Sequence, residues 1–322
     1  MNILLVDPFT QSTLTPMPDG LGDGSNLKFP FIRGAYRVTG DSDNYTDNFG
    51  FQWNKFAKTQ IDRNTVASTQ SYTRFFAETS WDKEDLTGKN VLEVGSGAGR
   101  FSQVVLDHTN ATLYSVDYSN AVEANFLNNG HHGDRLKLFQ ASIYDLPFKP
   151  GSFDKVFCLG VLQHTPDFKK SLESLISMLK PGGELVVDFY AIRGWWTKIH
   201  SKYILRPFTK GMSNEKLLAR IENNIDWLIK AYYLFDKLGV GRIANRFLPI
   251  CDIKNTLPAG LTKAELREWC ILDTFDMFSP QYDQPQKIST VKKWVEEFGL
   301  KQVFAGKISF DKAKAAVVKG IK

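Results

Sequence analysis

The sequence VLEVGSGAGR at residues 91–100 joins an apolar strand to a turn that contains Gly95, Gly97 and Gly99. Glycine has no Cβ atom, so it adopts left-handed backbone conformations and lets another group approach the main chain closely. In open α/β sheets, ligands bind beyond the carboxyl ends of the strands. The stretch therefore predicts a strand that ends at a ligand site.

The chain on either side of this turn alternates between apolar strands and short helices. The predicted strands are NVLEVG, ATLYSVD, RLKLFQAS, FDKVFCLG and ELVVDFY, and they lie within residues 90–190. Strands that alternate with helices of about ten residues predict parallel βαβ units. Later, STVKKWVEEFG predicts a helix with Ser289 as N-cap and Gly299 as its end. KQVFAGKISF and AAVVKGI follow as two strands, whose short connection requires antiparallel pairing.

Composition narrows the classes of protein to which the chain can belong. An apolar fraction of 43% predicts a globular fold, and a net charge of only +5 argues against a dedicated nucleic-acid binder. The three cysteines form no C-x-x-C pair, so neither a metal site nor a disulfide framework is expected. Neither a signal peptide nor a run of roughly 18 apolar residues is found, so the expected location is the cytoplasm.

An acidic residue, Asp117, ends the second predicted strand about twenty residues after the glycines. A carboxylate at this place can accept hydrogen bonds from ribose hydroxyls. The G-x-G-x-G spacing differs from the dinucleotide pattern G-x-G-x-x-G. Together with Glu93, the arrangement predicts a ligand that contains a nucleoside; the alternative is a tight turn that binds nothing.

Four strings in this segment resemble the class I S-adenosylmethionine-dependent methyltransferases. They are VLEVGSGAGR, VDYS, YDLPFKPGSFDKVFCLGVLQHTPD and LKPGGELVVDFY. The resemblance implies S-adenosyl-L-methionine as cofactor and a sheet that ends in an antiparallel pair.

The implied fold class is α/β, with a Rossmann-like, mostly parallel seven-stranded sheet and an antiparallel C-terminal hairpin. We expect an N-terminal β-rich region at 1–60 and a cofactor-binding core at 61–190. A helical insertion or lid is expected at 191–275, and a helix and hairpin that complete the sheet at 276–322.

The resemblance also implies which residues contact the cofactor. They are Glu93, Gly95, Ser96, Gly97, Gly99, Asp117, Tyr118, Ser142, Ile143, Leu159 and Gly160. Asp117 would hold the ribose hydroxyls, Tyr118 would cover one face of the adenine, and Glu93 would orient the loop or a water. Ser142 stands where relatives usually carry an acid for the adenine amino group, which predicts a weaker contact because a hydroxyl has no charge.

The chemistry of the acceptor is indicated by the segment CLGVLQ at residues 158–163. Methyltransferases that act on exocyclic amines typically carry a P-P-Y motif there, so we expect an oxygen, or less readily a carbon, of a small-molecule or sugar-like acceptor. His164 is the candidate general base. The alternative, which the residues alone favour, is a histidine that packs against the next helix, with Asp167 as the N-cap of that helix.

Four further residues are candidates for contact with the substrate or for closing over the bound cofactor. Arg206 lies in RGWWTKIHSKYILRPFTKG at 193–211, where cations and aromatics predict a lid, a contact with a peripheral membrane or lipid-linked substrate, or simple packing on the core. Tyr282 lies in DTFDMFSPQYDQPQ at 273–286, which we expect to be a loop. Trp53 and Gln52 are expected to close over the cofactor, with plain hydrophobic docking of Trp53 as the alternative.

The N-terminal strings LKFPFIRGAYRV and NFGFQWNKFAKTQID resemble small zinc-ribbon-derived domains that precede some bacterial methyltransferases. The cysteines of the ribbon are absent, so no metal is expected. Two other functions stay open: an RNA methyltransferase, and a non-catalytic subunit that retains the methyltransferase fold. The sequence leaves the oligomeric state open.

Overall fold

The computed structural model describes residues 3–39, 44–64, 69–192 and 194–322. Its centre is a parallel sheet made of β6 (Asn90–Val94), β7 (Thr112–Asp117), β8 (Leu136–Ala141), β9 (Phe153–Cys158) and β10 (Leu179–Phe189). The five strands lie side by side in the order β8-β7-β6-β9-β10. The strand order reverses between β6 and β9, which is where open α/β sheets bind ligands.

Two antiparallel strands complete this sheet at one edge. β12 (Ala313–Ile321) pairs with β10, and β11 (Lys301–Phe310) pairs with β12. These seven strands confirm the expected mixed α/β fold with an antiparallel C-terminal hairpin.

The N-terminal strands continue the same sheet at its other edge. They are β1 (Leu5–Val6), β2 (Thr13–Met17), β3 (Gly20–Gly22), β4 (Leu27–Ile32) and β5 (Ala35–Val38). They pair antiparallel in sequence order, and β5 then runs parallel to β8, with Tyr36 opposite Phe139. The sheet therefore has twelve strands. The likeness of this region to a zinc ribbon stays a prediction.

Helices cover both faces of the parallel strands. They are α2 (Gln70–Thr79), α3 (Arg100–His108), α4 (Val122–Asn129), α5 (Phe168–Met178) and, near the C terminus, a helix at Ile288–Glu297, while α1 (Asp47–Lys55) contacts α4 without covering a face of the sheet. Adjacent residues of β6 enter opposite cores, because Val91 packs in one apolar cluster and Leu92 in the other. Strands buried on both faces need apolar residues at nearly every position, which explains the continuous apolar runs in the sequence.

A helical segment lies between β10 and the C-terminal hairpin. It contains α6 (Ser201–Thr209), α7 (Asn214–Lys237), α8 (Gly241–Ala244), α9 (Ile253–Thr256) and α10 (Lys263–Phe278), and the helix at Ile288–Glu297 is accordingly α11. Ile221, Ile225 and Leu228 of α7 pack with Phe275 of α10 in a third apolar core. Trp53 of α1 packs against this same core, so α1 and the helical segment form one cap. None of the described helices combines the length and the apolar character needed to span a lipid bilayer.

The structure corrects two local predictions. Ser289 lies inside α11, because the helix begins at Ile288 and its N-cap position is Lys287. The segment 273–286 is not a loop throughout, since α10 continues to Phe278. Phe275 and Phe278 are buried and extend the apolar face of that helix, which explains why it does not end earlier.

The sequence TKAE at 262–265 has the pattern of a capping box, and the structure confirms one at the start of α10. Glu265 N–H donates to the Thr262 hydroxyl at 3.2 Å, and Thr262 N–H donates to the Glu265 carboxylate at 2.8 Å. These bonds satisfy two of the amide groups that lack partners at a helix start. They fix the beginning of α10, which carries cavity residues further along.

We expect Thr262→Ala to lower the free energy of unfolding by about 1 kcal/mol, because the cap hydroxyl is lost. Urea denaturation measures the change. Lys263→Ala is the matched control, because it lies at the neighbouring exposed position and leaves both capping bonds in place. Equal effects of the two substitutions would contradict a stabilising role of the cap.

Candidate active site

A cavity of about 740 Å³ opens at the carboxyl ends of the parallel strands, beneath α1 and α10. Eleven of the sixteen residues predicted from the sequence line it, while Glu93, Gly99, Ser142, Arg206 and Tyr282 do not. The eleven are Gln52, Trp53, Gly95, Ser96, Gly97, Asp117, Tyr118, Ile143, Leu159, Gly160 and His164. The glycine turn and the ends of β7 and β9 therefore face one space.

The glycine turn has a backbone that other residues would not adopt. Gly95 has φ +84° and Gly97 has φ +53°, both in the left-handed region. A Cβ atom on Gly97 would lie 2.9 Å from Trp53 Nε1, and one on Gly95 would lie 2.3 Å from Val161 Cγ2. Both the conformation and the close neighbours explain why the sequence has glycine here.

Asp117 anchors this turn to the end of β7. Its Oδ2 accepts a hydrogen bond from Gly97 N–H at 2.8 Å, and its Oδ1 accepts from Ser119 N–H at 2.8 Å and the Ser119 hydroxyl at 2.7 Å. Burial raises the pKa of Asp117 above its ordinary value. A carboxylate offers about four acceptor positions, so roughly one remains for a ligand. The expected grip on both ribose hydroxyls thus requires one of these protein bonds to give way.

Two buried side chains on the cavity wall lack hydrogen-bond partners within the described part of the chain. They are Gln52, at both its amide oxygen and its amide nitrogen, and Ser96, at its hydroxyl. A buried polar group without a partner costs about 1–3 kcal/mol. The wall therefore fits a polar ligand that supplies both donors and acceptors, as S-adenosylmethionine does.

Glu93 does not line the cavity but lies in a polar network beneath the turn. Its Oε2 accepts hydrogen bonds from the Ser102 and Ser115 hydroxyls, the latter at 2.8 Å. Asn125 Nδ2 donates to the same two hydroxyls, at 2.9 and 3.2 Å. Burial raises the pKa of Glu93 to about 7. Of the two predicted roles, this position fits support of the loop and not a water near the ligand.

Gly99 is also set back from the cavity and belongs to this network. It is the N-cap of α3 with φ +83°, and its carbonyl accepts from Asn129 Nδ2 at 2.9 Å. A Cβ atom on Gly99 would lie 2.2 Å from Asn125 Oδ1. Gly99 therefore serves helix packing and does not line the cavity, and its contact with the cofactor stays a prediction.

The predicted adenine end has aromatic and apolar walls. Tyr118 and Ile143 line the cavity together with Tyr45, whose ring centre lies 5.6 Å from that of Tyr118. The Ser142 hydroxyl accepts from Tyr144 N–H at 3.1 Å, and Ser142 does not line the cavity. Ser142 therefore stabilises the local turn, and its contact with the adenine amino group stays a prediction.

His164 lies on the cavity wall in the turn Leu162–His164. Its Nδ1 is 3.0 Å from the Tyr282 carbonyl oxygen, and its ring centre lies 5.2 Å from that of Phe49. A carbonyl only accepts hydrogen bonds, so Nδ1 carries the proton. Burial lowers the pKa of His164 below 6.5, so the ring is neutral near pH 7 and Nε2 is an acceptor. Asp167 is the N-cap of α5 as predicted, since its carboxylate accepts from Lys170 N–H at 2.9 Å.

Arg206 and Tyr282 do not line the cavity, and their contact with the substrate stays a prediction. Arg206 Nη1 lies 2.7 Å from the buried Asp283 carboxylate, which Lys202 also contacts. The segment 193–211 is not one helix, because a turn at Trp195–Lys198 precedes α6, and Arg193 lies outside the described residues. Arg206 therefore forms an internal ion pair with Asp283. The main-chain carbonyl oxygen of Tyr282 accepts a hydrogen bond from His164.

The inner wall of the cavity contains charged residues to which the sequence analysis gave no role. Asp188, at the end of β10, accepts from Gly160 N–H and from the Arg74 guanidinium, while Arg74 Nε also contacts Glu78 at 3.0 Å. The signal in the sequence was an acid near the carboxyl end of a strand, since Asp188 is the second-last residue of β10 and Asp117 is the last residue of β7. Asp188 therefore fixes the main chain of Gly160.

A second charged group lies where α3 and α10 face the cavity. Arg100 Nη1 donates to Gln60 Oε1 at 2.6 Å, and Gln60 Nε2 donates to Asp273 Oδ1 at 3.3 Å. Burial lowers the pKa of Arg100 to about 10 and raises the pKa of Asp273 to about 7. Asp276, one turn further along α10, lies 3.4 Å from the Tyr190 hydroxyl. This half of the cavity is therefore polar and suits an acceptor with hydrogen-bonding groups.

Outside the cavity, Asp107, His131 and His132 each place one possible metal-ligand atom within 4.8 Å of the others. Arg63 donates to both Asp107 carboxylate oxygens, at 3.2 and 3.0 Å. The positive charge of the guanidinium opposes a cation at this place.

Comparison with known proteins agrees with this geometry. Residues 92–187 match the family model described as a methyltransferase domain. The chain therefore contains a methyltransferase domain. Such domains use S-adenosyl-L-methionine as methyl donor, and the matched residues include the glycine turn, Asp117 and His164.

Relatives of this methyltransferase domain include proteins with different named substrates. The protein syc1184_c of Synechococcus sp. is 30% identical over 65% of this chain and 46% of its own length. A tRNA U34 carboxymethyltransferase of Nautilia profundicola is 33% identical over 46% of this chain and 49% of its own. A ubiquinone biosynthesis O-methyltransferase of Xanthomonas euvesicatoria is 29% identical over 46% of this chain and 63% of its own. The chain thus spans about half the length of the first two relatives.

We expect Glu93→Gln to change how stability depends on pH. Between pH 4.5 and about 7, folded Glu93 keeps a proton that the unfolded chain has lost, so the free energy of unfolding falls as pH rises. Glutamine has no proton to lose. The free energy of unfolding of the variant minus that of the natural protein should therefore increase by up to about 3 kcal/mol as the pH rises from 4.5 to about 7.

Urea denaturation at several pH values measures this difference. Glu173→Gln is the control, because Glu173 is an exposed carboxylate on α5. A stability difference that stays constant from pH 4.5 to 7 would contradict the raised pKa of Glu93.

Proposed function

We propose that the protein transfers a methyl group from S-adenosyl-L-methionine to an oxygen of a small, sugar-like acceptor. The observation that carries this proposal is the state of His164. Its Nδ1 proton is bound by the Tyr282 carbonyl oxygen and its pKa is lowered, so a neutral ring with a free acceptor nitrogen lies on the cavity wall. A hydroxyl acceptor needs such a base, because its proton must leave when the oxygen is methylated.

The cofactor would lie against the glycine turn. Gly95, Ser96 and Gly97 would contact its amino-acid and ribose parts, and Asp117 would accept one ribose hydroxyl. Tyr118 and Ile143 would enclose the adenine, as would the neighbouring Tyr45. Leu159 and Gly160 would offer main-chain groups to the methionine end, and Asp188 keeps that loop in place. When bound, the cofactor supplies an electrophilic methyl group.

The protein's own part in the reaction is to place the acceptor and to take its proton. His164 Nε2 accepts the proton, while the Tyr282 carbonyl keeps the ring in one tautomer. The Phe49 and Trp53 side chains cover the cavity on the side of α1 and exclude water. Asp276 and Tyr190 lie beside His164 and would orient acceptor hydroxyls, because the Tyr190 ring centre is 5.6 Å from that of His164.

The relatives support methyl transfer more strongly than they support one acceptor. One is named an O-methyltransferase, which agrees with an oxygen acceptor, and another is named a tRNA carboxymethyltransferase. Within this chain, the absence of a P-P-Y motif after β9 argues against an amine. An oxygen acceptor is therefore our proposal, with carbon as the second choice.

We expect Asp117→Ala to abolish binding of S-adenosylhomocysteine, because the variant loses the ribose contact and also the anchor of the Gly97 amide. Asp117→Asn should bind more than about tenfold more weakly than the natural protein, since a neutral amide accepts weaker hydrogen bonds than a carboxylate. Isothermal titration calorimetry measures both variants.

Asp134→Ala serves as the control for this experiment, because Asp134 is exposed and pairs only with Lys137 among the described residues. Unchanged affinity in Asp117→Ala would refute the ribose assignment.

We expect His164→Ala to lower the rate of methyl transfer by about 10²–10⁴-fold while cofactor affinity stays unchanged, because only the base is lost. The assay follows labelled methyl from the cofactor into the small-molecule fraction of a cell extract, and mass spectrometry identifies the methylated atom. In the natural protein, the acid limb of the pH–rate profile should lie below pH 6.5.

His131→Ala is the matched control, because that histidine is exposed and outside the cavity. Full activity of His164→Ala would contradict the role of His164 as base. Label that appears only in RNA, or in no fraction at all, would contradict the proposed acceptor.

A further inference from the structure

The outer face of the cap exposes a row of large apolar side chains. Trp227 and Leu234 lie on α7 and Leu238 is the C-cap residue of that helix, while Val240 is the N-cap residue of α8 and Ile243 lies within α8. We name these five residues the α7–α8 stripe. Leu238 is 63% exposed and Ile243 is 71% exposed, so water covers most of each side chain. Contiguous exposed apolar surface of this kind marks a contact with a protein or a membrane.

Helix geometry makes the stripe continuous. Spacings of seven and four residues place Trp227, Leu234 and Leu238 on one face of α7. A different face of the same helix, which includes Ile225 and Tyr232, is buried in the core that α7 shares with α10. The helix is therefore apolar on two sides, and only one of them is covered by the described residues.

Cations surround the stripe and lack acidic partners. Lys230, Lys237 and Arg242 form no ion pair with any described residue, and Asp236, the only acid between residues 227 and 250, pairs with Lys254. Along α7, Lys230 and Lys237 lie on the same side of the stripe. Apolar residues bordered by lysine and arginine are the pattern of a helix that lies in the headgroup region of an anionic bilayer.

We propose that the α7–α8 stripe docks the protein on the surface of an anionic lipid bilayer. A second copy of this chain is the less suitable occupant, because a two-fold interface would bring the same unpaired cations of both copies together. An anionic headgroup layer instead neutralises them while the stripe enters the acyl boundary.

The docking surface lies close to the cavity. The Tyr232 hydroxyl on α7 donates to Asp252 Oδ1 at 2.7 Å, and Cys251 and Asp252 both line the cavity. Docking would therefore hold the cavity within one helix layer of the bilayer. The surface itself is argued from exposure and charge, so it does not depend on the proposed methyl transfer.

Co-sedimentation of the full chain with vesicles tests the proposal. We expect at least about tenfold stronger binding to phosphatidylcholine vesicles that contain phosphatidylglycerol than to phosphatidylcholine alone, and this binding should weaken as salt is added. The double variant Leu238→Glu/Ile243→Glu should lose at least about tenfold in binding, because two apolar side chains no longer enter the bilayer. Lys230→Glu/Lys237→Glu should reduce the preference for anionic vesicles.

Leu127→Glu is the matched control, because Leu127 is an equally exposed leucine, at 80%, on α4 of the core. Circular dichroism and calorimetry with S-adenosylhomocysteine establish that each variant folds, and they separate a failure of docking from a failure of the proposed function. No binding to anionic vesicles, or equal loss in Leu127→Glu, overturns the proposal. A dimer in analytical ultracentrifugation that Leu238→Glu/Ile243→Glu dissociates also overturns it, because a second copy would then cover the stripe.

Discussion

The hydrogen bond from the Gly97 amide to the Asp117 carboxylate is the contact on which the site depends. It ties the turn after β6 to the end of β7 and holds Gly97 at a positive φ, where a Cβ atom would meet the Trp53 ring. Because Gly97 has no side chain, Trp53 of α1 can pack directly against the main chain of the turn. The residues that would bind a nucleoside are thus the same residues that join the sheet to its cap, so binding and folding are coupled here.

Support for the turn comes from beneath it, at a cost in stability. Glu93 is buried with two serine hydroxyls as partners of one oxygen, and its other oxygen has none among the described residues. A carboxyl in this environment favours its neutral form, as its raised pKa shows. Unpartnered polar atoms on Gln52 and Ser96 add to that cost above the turn. At Gln52 and Ser96, which line the cavity, a polar ligand would restore the stability that is given up.

The sequence predicts the central fold well because its signals are local. Strand periodicity, the glycine turn and the capping box of α10 each depend on residues near one another in the chain. It predicts side-chain partners poorly, because partners come from distant segments. Arg206 pairs with Asp283, and His164 is oriented by the main chain of Tyr282, so neither contact is visible in a local pattern. The continuation of α10 through Asp273 was missed because acids and aromatics suggested a loop, whereas buried phenylalanines decided the helix.

The cap therefore has two surfaces with different chemistry: a polar wall toward the cavity and an apolar, basic face toward solvent. The polar wall carries the central claim, which is that the space under α1 holds an S-adenosyl nucleoside. A crystal structure of the full chain grown with S-adenosylhomocysteine tests this claim most directly. We predict density for the nucleoside against residues 95–97, with a ribose hydroxyl on Asp117 and the adenine beside Tyr118. An ordered ligand elsewhere, or a cavity filled by protein side chains at saturating ligand, would contradict the account.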